Sequence, residues 1–151
     1  MRVTIAAWIA VSLLAIGNGH AAAQGGPSCD RTCLTGLLDR YVEALVARQP
    51  SRLPLASSIT FTENGQRLEL GDGLWHTVTG EGGYRLDMAD VETGQAILMG
   101  TIREADTATI FVLRLGVTGQ RIAEIETLVI RNKDAAESLD KIATPRRAWY
   151  T

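Results

Sequence analysis

The apolar positions of the chain fall into two regimes. From Cys29 to Arg48 they recur at helical spacing, with Leu34, Leu37, Leu38, Tyr41, Leu45 and Val46 on one stripe and Asp39, Arg40, Glu43 and Arg48 mostly opposite. This predicts an amphipathic helix with Ser28 as N-cap and Pro50 as its stop, then one short turn over Ser51–Leu55. From Ser58 the period becomes two. Ser58–Glu63 alternates Ile59 and Phe61 with polar neighbours, Asn64-Gly65 is a two-residue hairpin turn, and Arg67–Leu70 answers it. Gly71-Asp72-Gly73 is a second turn leading into Leu74–Val78. Gly80–Gly83 reads as a flexible loop, Tyr84–Ala89 as a strand, Asp90–Gly94 as a turn and Gln95–Glu104 as a longer strand.

The strongest signal is the terminal hairpin, Thr109–Arg131, in which two β-rich runs flank a Gly-containing turn. Its second run sets Ile122, Glu124 and Glu126 against Ala123, Ile125 and Thr127, alternating along the strand. Lys133–Ala143 predicts a short helix, and 145–151 a tail. One amphipathic helix and about six strands in a meander make an α+β domain. The helix must bury its stripe on one face of the sheet, and a bent sheet around it leaves a cone with one open end.

The N-terminus adds a compartment. Arg2, the apolar run Val3–Ile16 and the Ala21-Ala22-Ala23 end describe a secretory signal peptide cut after Ala23, with an uncleaved anchor as the alternative. Expected boundaries are therefore signal peptide 1–23, disordered lead-in 24–28, domain 29–144 and tail 145–151. The formal charge of −2 becomes −3 once Arg2 is removed, and the basic residues are scattered, which disfavours a nucleic-acid partner. A secreted or periplasmic location, with no membrane contact after cleavage, follows. Cys29 and Cys33 are the only cysteines. In an oxidising compartment an intrachain bridge leads, with free thiols and an intermolecular bond as alternatives. Two thiolates with no nearby His do not complete a metal site.

The sequence has no G-x-S-x-G, H-E-x-x-H, phosphate loop or dinucleotide fingerprint. Any enzyme here would work without a cofactor, by proton transfer in an apolar pocket. His76 is a candidate general acid or base, against an exposed or structurally bonded His. Glu63 is a candidate base with Asn64 polarising a carbonyl, against a solvated strand end followed by a plain turn. Arg114, inside an apolar strand, needs a carboxylate from Glu124 or Glu126: a structural cross-strand pair is the leading reading, anchoring of an anionic substrate the sharper one. Tyr84, Arg85 and Asp87 carry the same ambiguity. Trp75 lines the cavity mouth or sits in the core.

Phe61-Thr62-Glu63-Asn64-Gly65, Gly71-Asp72-Gly73-Leu74-Trp75 and Glu124-Ile125-Glu126-Thr127, within Cys29–Arg131, resemble the nuclear-transport-factor-2-like (NTF2-like), or SnoaL-like, superfamily and a secreted subgroup of it. The resemblance implies an N-terminal helix packed on a strongly curved antiparallel sheet of about six strands, enclosing a cavity. A clear third helix is missing, and the chain stops where relatives of this pattern continue into a second unit. Such folds serve lyases, isomerases, dehydratases and non-catalytic binders alike. The expected functions are therefore three: a binder of a small hydrophobic molecule, a cofactor-independent lyase or isomerase using His76 or Glu63, and a homodimerising domain that pairs through its sheet.

Overall fold

The computed structural model describes residues 29–142; the expected export segment 1–23, the lead-in 24–28 and the stretch from 143 onward lie outside the described residues. Helix α1 (Arg31–Val46) starts two residues later than the sequence suggests. Its cap is Asp30, whose carboxylate accepts the Cys33 N–H at 2.8 Å, while Ser28 lies outside the described residues. The helix buries Leu34, Leu37, Leu38, Tyr41, Val42, Ala44 and Leu45. Each large aliphatic side chain removed from water there contributes roughly 1.5–3 kcal/mol. Cys29 and Cys33 are joined across the helix start with Cα atoms 5.2 Å apart. A 3₁₀ turn (Pro50–Arg52) follows.

The sheet has six strands: β1 (Leu55–Glu63), β2 (Gln66–Arg67), β3 (Val78–Asp90), β4 (Gln95–Glu104), β5 (Thr107–Thr118) and β6 (Arg121–Ile130), in spatial order β2-β1-β6-β5-β4-β3. Four of the pairings are antiparallel, and the exception is β1 on β6, which runs parallel with Phe61 opposite Ile125. The simple meander expected from the sequence is thus broken once: the chain crosses from β2 to the far edge and returns strand by strand. The α+β cone itself is present, with a strongly curved sheet. Register shifts in β1–β6, β3–β4 and β5–β6 supply local bends.

Two further expectations are corrected. Gly80–Gly83 is not a loop but part of β3, running on through Tyr84. A Cβ on Gly82 would come within 2.1 Å of Thr101 Oγ1, so glycine here permits close approach of neighbouring chain rather than flexibility. Leu74–Thr77 forms one helical turn, α2. A third helix, α3 (Lys133–Asp140), crosses one end of the outer sheet face, where Asp140 Oδ1 accepts the Gly83 N–H at 3.0 Å and the Thr101 hydroxyl.

Candidate functional site

The inner face of the sheet carries Phe61, Ala96, Leu98, Ile102, Phe111, Leu113, Leu115 and Ile125, all buried. They form one buried cluster with the α1 stripe. The space left beside Val42, Tyr84, Leu98, Ile102 and Phe111 is about 20 Å³, room for about one water. Among the described residues two ligand-sized spaces open elsewhere, one of them about 290 Å³ beside Thr77, Glu104, Ala108, Thr109 and Arg131. Between the 3₁₀ turn, the first half of β1 and the segment after β2 lies a half-open cleft of about 310 Å³. Its lining includes Leu55, Ile59, Phe61, Leu68 and Leu70, with Arg67 and Glu69 as the charged members. The alternation of β1 explains half of this wall, since Ile59 and Phe61 are two apart and share a face.

The residues expected to do chemistry do not converge. His76 is on the surface, its side chain 71% exposed, with Nε2 3.3 Å from Asp72 Oδ1 on the same turn. Glu63 is 8% exposed, and its Oε2 accepts the Leu74 N–H at 3.0 Å. It therefore holds the start of α2 rather than ending in solvent. Asn64 adopts a left-handed backbone and adds its side chain to the ladder, accepting from Val129 N at 2.8 Å and donating to Val129 O at 3.2 Å. Its amide is thus engaged by the β6 backbone rather than aimed at a cavity. Trp75 is a core residue, 2% exposed, with its ring edge-on to Tyr41 at 5.4 Å and 73°. Tyr84 borders the one-water void.

Arg114 faces the outer side of the sheet, away from the interior. Its Nε donates to Glu126 at 2.9 Å, and its terminal nitrogens reach Glu124 at 3.1 Å and Gln95 at 2.7 Å. This is a partly exposed cross-strand network in the register Ile97–Arg114–Glu126. Hydrogen bonds donated to Glu126 and Glu124 hold the guanidinium above its ordinary range against partial burial. Arg85 is spoken for in the same way by Asp87 and Asp39.

The sequence did not single out Tyr41, Arg67, Leu68 or Leu70. Tyr41 reads as one more stripe position, yet its hydroxyl and the Trp75 indole N–H are both buried without a hydrogen-bond partner. Burial holds the Tyr41 phenol well above its usual range; the indole N–H lies near enough to oppose this, and the Glu63 charge adds to it. Among the described residues no group of three or more His, Cys, Asp or Glu side chains is arranged to hold a metal ion, and no helix is long and apolar enough to cross a membrane.

No protein-family model matches the chain, and no curated protein does. Solved structures do. A de novo designed protein with a curved β-sheet superposes with TM-score 0.56 and 13% identity, over 73% of this chain and 96% of that one. An NTF2-like protein from Burkholderia xenovorans superposes with TM-score 0.51 and 13% identity, over 75% and 99%. The chain has the NTF2-like fold. A ketosteroid isomerase candidate from Kribbella flavida also superposes, with TM-score 0.50 and 15% identity over 67% and 80%. At such identities the likeness fixes the NTF2-like architecture and leaves the chemistry to the residues described above.

Proposed function

We propose that the chain is an exported, non-catalytic NTF2-like domain that binds a small apolar molecule in the cleft beside β1. The carrying observation is the open cleft of about 310 Å³ beside β1, set against a void of only about 20 Å³ at the inner sheet face; its volume lies at the lower end of known ligand sites, about 300–1,000 Å³. The groups a proton-transfer enzyme would use are engaged otherwise: His76 lies outside and Glu63 is bonded to the backbone. Native mass spectrometry of protein recovered from a periplasmic extract tests this. The expected result is a small adduct, released on denaturation and absent from a cleft-filling Ile59→Trp variant. Turnover of the released compound that depends on Glu63 or His76 would refute the non-catalytic part. Fractionation with N-terminal sequencing tests export, which predicts a mature chain starting at Gln24.

A second reading rests on the outer sheet face. Cross-strand register aligns Leu86, Met99, Val112 and Leu128 in one row, with Met88 and Ile97 on one side and Ile110 and Ile130 on the other. Met88, Leu128 and Ile130 are 40–47% exposed. The apolar part is a band of eight residues that ends where the Met88–Ile97 row continues into Arg114 and Glu126, a footprint of roughly 250 Å². We propose a second copy of the chain as its occupant, with the aliphatic row centred on Met99 and Val112 pairing with itself about a two-fold axis. Sedimentation should show a dimer that Val112→Glu dissociates; a wild-type monomer at high concentration would refute it.

A further inference from the structure

We propose that Asn64 is a site of self-modification, a deamidation whose rate is set by opening of the β1–β6 ladder at its end. The reacting pair is Asn64-Gly65. The Gly65 backbone nitrogen attacks the Asn64 side-chain carbonyl carbon and gives up its proton, which leaves with the side-chain nitrogen as ammonia. A five-membered succinimide results. Water then opens the ring to aspartate, or to isoaspartate, in which the main chain runs through the former side chain. Both partners are accessible. Asn64 is exposed, Gly65 has open space where a Cβ would stand, and the Gly65 N–H makes no hydrogen bond among the described residues.

What restrains the reaction is the use the fold makes of the amide. Asn64 N donates to Thr127 O at 2.8 Å, so in a regular parallel ladder the Asn64 backbone carbonyl would take the Val129 N–H. The backbone has instead turned away, with φ +49°. The side-chain amide fills the gap, Oδ1 accepting from Val129 N at 2.8 Å and Nδ2 donating to Val129 O at 3.2 Å. A side chain paired in this way must release Val129 before it can fold back on its own main chain, which takes local opening of the strand end. The products undo the pairing. Aspartate keeps an acceptor for Val129 N but sets a carboxylate against the Val129 carbonyl, and isoaspartate inserts an extra carbon into the turn. That turn joins two walls of the cleft, with Ile59 and Phe61 before it and Leu68 and Leu70 after it. The other described asparagine, Asn132, caps α3 and precedes Lys133, whose side chain crowds the attacking nitrogen.

The experiment incubates the full chain, its Cys29–Cys33 bond intact, at mildly alkaline pH beside a synthetic peptide of residues 58–70. Peptide mapping by mass spectrometry follows conversion of amide to acid at each asparagine. Asn64 should convert on the order of thirtyfold more slowly in the folded chain than in the peptide, the protection that two hydrogen bonds of ordinary net strength supply. Asn132 should lag far behind it. Low urea should leave the folded rate nearly unchanged, because opening one strand end exposes little surface. A folded rate equal to that of the peptide would overturn the proposal, since the Val129 pairing would then restrain nothing. So would a rate that climbs with urea as global unfolding does, or no conversion once the incubation has covered the predicted rate. Asn64→Asp makes one product directly and should lower the urea midpoint; a midpoint equal to that of the wild type would contradict the loss of pairing. Should that variant fail to fold, the wild-type and peptide rates decide alone.

Discussion

The carboxylate of Glu63 accepts the backbone N–H of Leu74 at 3.0 Å, tying the end of β1 to the first residue of α2. A strand end that the sequence offers as a catalytic base is a structural acceptor in a site 8% exposed. Glu63→Ala leaves that buried amide unpaired and should destabilise the fold by about 1–3 kcal/mol. Glu63→Gln keeps an acceptor and should lose less. Urea denaturation of both variants checks the order; equal losses would mean that charge, not hydrogen bonding, is what Glu63 supplies.

Gly73 explains why that carboxylate fits. Its φ is +63°, and a Cβ there would lie 2.7 Å from Glu63 Oε1, whereas Gly65 at φ +78° has open space around it. Gly65→Ala should cost about 1–2 kcal/mol for the left-handed backbone alone. Gly73→Ala carries the same backbone cost plus displacement of Glu63, so its melting temperature should fall further. A Gly73→Ala protein as stable as Gly65→Ala would show that Glu63 moves aside freely.

These two glycines mark what was legible in the chain and what was not. The helix stripe, the Asn64-Gly65 turn and the β4–β5–β6 run were readable because each is set by local periodicity or turn chemistry. Gly80–Gly83 misled because glycine marks a close approach as readily as a turn, and the Thr101 side chain that requires it is about twenty residues away. The parallel β1–β6 pairing joins distant parts of the chain and leaves no local signature. The cleft was illegible for a related reason: Leu68 and Leu70 are ordinary apolar positions until the fold sets them against Ile59 and Pro50.

Tyr41 tests whether the buried aromatic pair has polar work to do. Its hydroxyl has no partner and is fully buried, a state that costs roughly 1–3 kcal/mol relative to a satisfied one. Tyr41→Phe should therefore leave stability unchanged or raise it by about 1 kcal/mol. A clear loss on thermal unfolding would mean that the hydroxyl is satisfied by a bound water.

Acid sensitivity should trace in part to Glu104. Hydrogen bonds from Arg131 at 2.7 and 2.8 Å, and from Thr77 at 2.6 Å, hold its carboxyl below the usual glutamate range, against some desolvation. A depressed folded-state pKa stabilises above the unfolded value and loses that contribution as pH falls through the folded one. The urea midpoint of the wild type should therefore drop more steeply on acidification than that of Glu104→Gln. Parallel profiles would show that the Arg131 pair does not couple to folding.

The central claim is that ligand enters the β1 cleft and not the interior of the cone. A methyl-resolved NMR titration with octanol, an uncharged apolar probe, tests it most directly. Saturable shifts confined to Ile59, Leu68 and Leu70, with Leu55 at the rim, are the predicted result. Saturable shifts at Val42, Leu98 and Ile102 around the inner void, with the cleft methyls silent, would contradict it.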